Sequence, residues 1–198
     1  MSWPNRTWVV LISTGGLCLA QNSSAQLVIA PGIRYDHVAN DQSTLGWDLV
    51  VGYCDEPANH FWISGHYSRL KAQRESDRAT VVDEVHRFGL TGGSGRTIGE
   101  NWVLQYGFHA DYINTVRSAA RAFSSESGSY KVKAIGLGLA GRMMYSLGDL
   151  TSVFFEVDPG YSVVIDQESI EMPLPNEQVA NGLYVGFTMG VVVELSLK

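Results

Sequence analysis

His66, Tyr67 and Ser68 place an imidazole and a hydroxyl two residues apart. In an extended chain that spacing puts both side chains on one face. A carboxylate orienting the imidazole would then complete a constellation for hydrolysis. His109 supplies a second imidazole, but no ligand spacing surrounds either histidine, so neither a metal nor any other cofactor is expected. The remaining ionic residues form a longer series of both signs: Arg34, Asp36, Asp48, Arg87, Asp111, Arg142, Glu156, Asp158 and Glu194. In an enclosed space such groups must pair or stay hydrated.

The elements that hold these residues are strands. From Gly182 to Leu197, every second residue is apolar: Leu183, Val185, Phe187, Met189, Val191, Val193, Leu195 and Leu197. A period of two marks a β-strand with one apolar face. At about sixteen residues it is far longer than the usual strand of about five or six. The same alternation runs through residues 26–36, 45–54, 61–68, 85–97, 102–112, 130–145 and 153–163. These eight segments are joined by tight turns at 55–59, 98–100 and 147–149. The polar runs 37–44, 69–84, 114–129 and 165–180 read as four long loops, so short and long connections alternate. The pattern predicts an all-β, eight-stranded antiparallel up-and-down transmembrane barrel with both termini at the short-turn end.

All eleven ionisable residues of the predicted interior, His66 and His109 included, fall on the face opposite the apolar row. That face is otherwise rich in Gly, Ala and Ser. A soluble barrel would turn its apolar face inward and cover the other with charge. The small, sparsely charged face suits a narrow filled lumen, and the apolar face suits lipid. Tyr35, Trp47, Tyr53, Tyr67, Trp102, Tyr112 and Tyr161 sit near strand ends on the apolar face, where aromatic side chains favour the membrane boundary. Turns centred on Pro57, Gly99 and Asp149 would set Asp48 against His66, Arg87 against Asp111, and Arg142 against Glu156.

Residues 1–25 read as a secretory signal peptide: Arg6, an apolar run from Thr7 to Ala20, and small residues at Ser23 and Ala25 before cleavage at Gln26. Residues 26–198 form the barrel domain. Cleavage leaves Cys54 as the one cysteine, so no intramolecular disulfide is expected. The formal net charge of −6 argues against nucleic acid as a partner.

With these features the chain resembles the small eight-stranded outer-membrane barrels, the OmpA transmembrane-domain and OmpX/Ail type. The resemblance rests on architecture over residues 26–198 and on no catalytic motif. It implies an outer-membrane location in a Gram-negative-type cell after export across the inner membrane. It also implies contact with outer-membrane lipid and lipopolysaccharide, and passage through the barrel-assembly machinery. Members usually end in an aromatic residue, whereas this chain ends Glu194-Leu195-Ser196-Leu197-Lys198. The expected role is non-enzymatic: structure, adhesion or envelope integrity carried by the four surface loops, over a lumen plugged by salt bridges. Two other classes remain: a lipid A-modifying barrel enzyme using His66 and Ser68, and a soluble periplasmic ligand-binding barrel. By parity His66 and Ser68 point inward, away from a lipid substrate. The cations of 69–78 and 114–133 are candidates for lipopolysaccharide phosphates, and a surface ligand is possible but unnamed by any motif.

Overall fold

The computed structural model describes residues 25–38, 42–55, 61–76, 79–121, 127–170 and 182–196. They form β1 (Ala25–Val38), β2 (Gln42–Asp55), β3 (Trp62–Ser76), β4 (Ala79–Ile98), β5 (Trp102–Arg121), β6 (Ser127–Ser146), β7 (Thr151–Ile170) and β8 (Gly182–Ser196). Each strand pairs antiparallel with the next, and β8 closes on β1. The expected signal peptide before Ala25, the expected turn at 55–59 beyond Asp55, all of residues 171–181 and the last two residues lie outside the described set.

The strands follow the predicted alternation. Phe108, Leu90, Leu183 and Met189 are more than three-fifths exposed on the outer wall. Arg34, Arg87 and Ser68 are almost wholly buried inside it. Two predicted turns lie where the sequence puts them. Gly99 has φ of 70°, a left-handed conformation that glycine adopts without a side-chain clash. At 146–151 the Leu147 amide donates to the Thr151 carbonyl at 2.9 Å, and the Ser146 hydroxyl donates to the Gly148 carbonyl at 2.9 Å.

Three of the four expected long loops are mostly strand, and the fourth, 165–180, is strand as far as Ile170, with 171–181 outside the described residues. Most of 69–84 continues β3 and β4, most of 114–129 continues β5 and β6, and β7 runs on to Ile170. The first connection is short as well, with β1 reaching Val38 and β2 beginning at Gln42. The cause is a reversal of hydrophobic phase. On β3 the outer face passes from Ile63 and Tyr67 to Arg69 and Lys71. Its inner face passes from His66 and Ser68 to Leu70, which is fully buried. On β6 the outer face passes from Leu137 and Ile135 to Lys133 and Lys131, while the inner face carries Ala134 and Val132. The strand persists, but its outer side changes solvent, so the apolar row breaks off. β3 to β7 therefore rise as a wall above β8, β1 and β2.

The lumen is layered. Towards the turn end Ala30, Val50, Met144, Phe154 and Val192 form an apolar plug, with Val28 and Val103 packed against it. The ionic layer lies above it. A second, looser layer of Val85, Ile113, Val132, Ala134 and Val164 lines a cavity of about 80 Å³ towards the outer end.

Candidate functional site

Arg34 on β1 and Arg87 on β4 organise the ionic layer. Arg34 Nε donates to Asp36 Oδ1 at 2.7 Å, and its terminal nitrogens reach Asp158 and Thr188 Oγ1. Arg87 donates to Asp36 Oδ2 at 2.8 Å and to Asp111 Oδ2 at 2.5 Å, and lies 3.8 Å from Asp158. Asp36 thus bridges the two guanidiniums. The Arg87 guanidinium also stacks 4.4 Å from the centre of the Tyr184 ring. The Tyr184 hydroxyl donates to Asp111 Oδ2 at 3.0 Å and lies 2.7 Å from His109 Nε2. His66 Nε2 faces the other oxygen of Asp111 at 3.0 Å. Nearer the turn end, Arg142 Nε donates to Glu156 Oε2 at 2.6 Å, and its guanidinium lies over the rings of Trp62 and Phe154. Glu194 is half-buried at the turn end, beside Gln26, Cys54 and Arg142.

The predicted pairings meet three different outcomes. Arg142 stands directly opposite Glu156 and bonds to it. Arg87 does bond to Asp111, but diagonally: the register sets Arg87 opposite Ile113 and Asp111 opposite Gly89. A Cβ on Gly89 would stand 2.1 Å from Asp111 Oδ1 and 2.3 Å from the His66 ring, so glycine makes the space for this pair. Asp48 and His66 do not pair. β2 and β3 run two residues away from the register that a turn centred on Pro57 imposes, so Asp48 lies opposite Ser68 and accepts its hydroxyl proton at 2.5 Å.

That shift also gives the Asp48 carboxylate to Ser68 and not to His66, so the hydrolytic candidates keep separate partners. His66 faces Asp111 and Thr91, whereas Ser68 donates to Asp48. No hydrogen bond joins His66 to Ser68 among the described residues, and both are buried in the lumen. Nor do the described residues contain a cluster of three His, Cys, Asp or Glu able to hold a metal.

Three participants escape the sequence reading. Tyr184 is 4% exposed and caps the network. Asp83 and Arg117 fall in presumed loops, yet they form a buried pair at 2.6 Å, which Arg74 joins at 2.9 Å. Continuing the inner parity of β4 past Arg87 to Asp83, and of β5 past Asp111 to Arg117, would have found them.

All seven aromatic candidates lie on the outer wall. Trp47, Tyr67 and Phe88 stack in a row towards the outer end, with centroids 5.2 Å and 4.7 Å apart, and Tyr35, Tyr112 and Tyr161 continue around that end. Tyr53 and Trp102 sit towards the turn end, where Trp102 packs on Tyr145 at 4.8 Å. Above the aromatic row, Arg69 pairs with Glu84 at 2.5 Å and Lys133 with Asp166 at 2.7 Å. Hydrogen bonding and charge from Lys133 hold the Asp166 carboxyl below the usual carboxylate range, and Asp166 in turn raises the Lys133 ammonium. The pairing contribution is therefore present at neutral pH and above the ordinary carboxylate pKa, and is lost as pH falls through the depressed Asp166 value. A carbon-13 titration of the carboxylates is expected to give Asp166 a midpoint below that of free aspartate. Lys133→Met should return it to the ordinary value.

No family model matches the chain, and no curated protein matches it. Among solved structures, a major outer membrane protein from Thermus thermophilus is 12% identical, covers 86% of this chain and 99% of its own, and superposes with a TM-score of 0.64. Ail of Yersinia pestis, solved with the heparin analogue sucrose octasulfate, is 17% identical over 87% of this chain and 99% of its own, with a TM-score of 0.49. Neisserial surface protein A is 10% identical over 86% of this chain and 97% of its own, with a TM-score of 0.44. Identity this low speaks for fold alone, and the fold is that of the small eight-stranded outer-membrane β-barrels.

Proposed function

We propose that this chain is a non-enzymatic outer-membrane barrel whose filled body anchors an outer wall of strands in the envelope. The observation that carries the reading is the outer surface. It is a continuous apolar belt with aromatic residues towards both ends, and it encloses a lumen filled by paired ions. A folded chain exposes so contiguous an apolar surface only where something other than water covers it. Export, assembly by the barrel machinery and contact with lipopolysaccharide belong to the same reading. The outer work, whether adhesion or envelope integrity, then falls to the strand extensions of β3 to β7 and the connections between strands at that end.

Fractionation of expressing cells should place the protein with the outer membrane. Unboiled samples should migrate differently from boiled ones in gel electrophoresis. Recovery as a detergent-free periplasmic protein would overturn the reading and favour a soluble ligand-binding barrel. The packed lumen carries a second expectation: vesicles containing the protein should swell in sugar solutions no faster than empty vesicles.

A further inference from the structure

We infer that the outer wall of β3 to β6 holds a specific site for a multiply acylated lipid bearing two phosphates, of the lipid A class; the inference rests on the membrane reading above. The strand register builds the site in rows. One row runs Gly65, Leu90, Ala110 and Leu137 across β3, β4, β5 and β6. Its two small residues leave recesses on either side of Leu90, within a groove of about 710 Å³ walled by apolar side chains such as Leu49, Phe88 and Ile135. The recess at Gly65 is open: a Cβ there would meet nothing nearer than the Gly89 carbonyl oxygen at 3.8 Å. Recesses on two strands give room for more than one acyl chain.

The next row outward is Tyr67, Phe88, Tyr112 and Ile135, and the row beyond that is Arg69, His86, Asn114 and Lys133. Further out again come Lys71, Glu84, Val116 and Lys131. Acyl recesses, an aromatic band and a cationic band therefore lie in order on the same strands, which is the order of chain, interface and headgroup in a lipid. Arg69 and Lys133 are engaged by Glu84 and Asp166. Lys71 and Lys131 make no ion pair among the described residues, so each can take a phosphate as a point charge. They stand three interstrand steps apart, about 14 Å at ordinary strand spacing. A headgroup carrying two phosphates spans such a distance better than one carrying a single phosphate.

The test is native mass spectrometry of the full chain in micelles with three probes: lipid A, its dephosphorylated form, and phosphatidylethanolamine. Lipid A should remain bound under detergent excess that strips phosphatidylethanolamine. Lys71→Gln with Lys131→Gln should reduce lipid A retention to that of the dephosphorylated form. Gly65→Phe with Ala110→Phe should weaken retention of both forms about tenfold, the loss expected when about two methylenes are no longer buried. Gly141→Phe adds the same ring at another open outer position and should leave retention unchanged. Equal retention of lipid A and phosphatidylethanolamine would overturn the site. So would a Gly141→Phe loss as large as that of the paired substitution. A chain that retains no lipid A yet inserts into vesicles and shifts on boiling fails this site alone; a chain that does neither fails the membrane reading and the site with it.

Discussion

Arg87→Ala is expected to destabilise the folded barrel by about 3–5 kcal/mol, the cost of removing one partner from a buried ionic cluster. Arg87 is 1% exposed and contacts Asp36, Asp111, Asp158 and the Tyr184 ring. Its loss leaves Asp111 with only the two histidines and Tyr184, and leaves Asp36 with Arg34 alone. Most of the penalty comes from stranded carboxylates, not from lost attraction. Arg87→Met combined with Asp36→Asn and Asp111→Asn should therefore recover much of it, since a neutral, well-filled layer costs little. Denaturant unfolding in micelles, followed by tryptophan fluorescence, measures both variants. A loss under about 1 kcal/mol for Arg87→Ala would mean that water enters the layer and solvates the carboxylates.

Phe108→Arg is the second large effect. Phe108 is 72% exposed on β5, midway between Trp102 and Asn114 and flanked by Tyr106 and Ala110 on the outer face. On a water-facing wall, arginine at so exposed a position would change stability by no more than about 0.5 kcal/mol. In a bilayer it should cost about 2–4 kcal/mol and lower the folded yield in vesicles. Val116 lies on the same face of the same strand but beyond Tyr112, alongside Glu84 and Lys131. Val116→Arg should be close to neutral. The contrast between the two positions locates the edge of the belt along β5. Equal effects at both would mean that the outer wall meets one solvent throughout.

The sequence alone determined the strand count, the parity of every ionic and aromatic candidate, and the turns at Gly99 and Gly148. Those features are local. A two-residue period reports which side of a strand is apolar, and a tight turn needs only a few residues of the right type. Alternation from Trp102 to Tyr112 is enough to place Gln105, His109 and Asp111 together on the inner face of β5. The same signal fails beyond the belt. From Arg69 to Ser76 and from Ala79 to Glu84 the strands continue, but water replaces lipid outside while Leu70 and Val85 face inward. The contrast that marks a strand reverses sign and reads as a charged loop. Asp83 and Arg117 were hidden by that reversal.

Only the tertiary structure decided which ions meet. Parity brought Asp48, His66 and Ser68 to the lumen but did not choose among their partners. That choice depends on register, and register follows from hydrogen bonds accumulated around the closed ring, not from any single turn. A shift of two residues keeps every side chain on its own face while exchanging its neighbour. This is how Asp48 came to bond Ser68, and how His66 came to face Asp111 across the space that Gly89 leaves open. Tyr184 shows the same limit from the other side: its inward direction follows from the alternation of β8, but its place between Arg87 and His109 exists only once β8 has closed the barrel against β1.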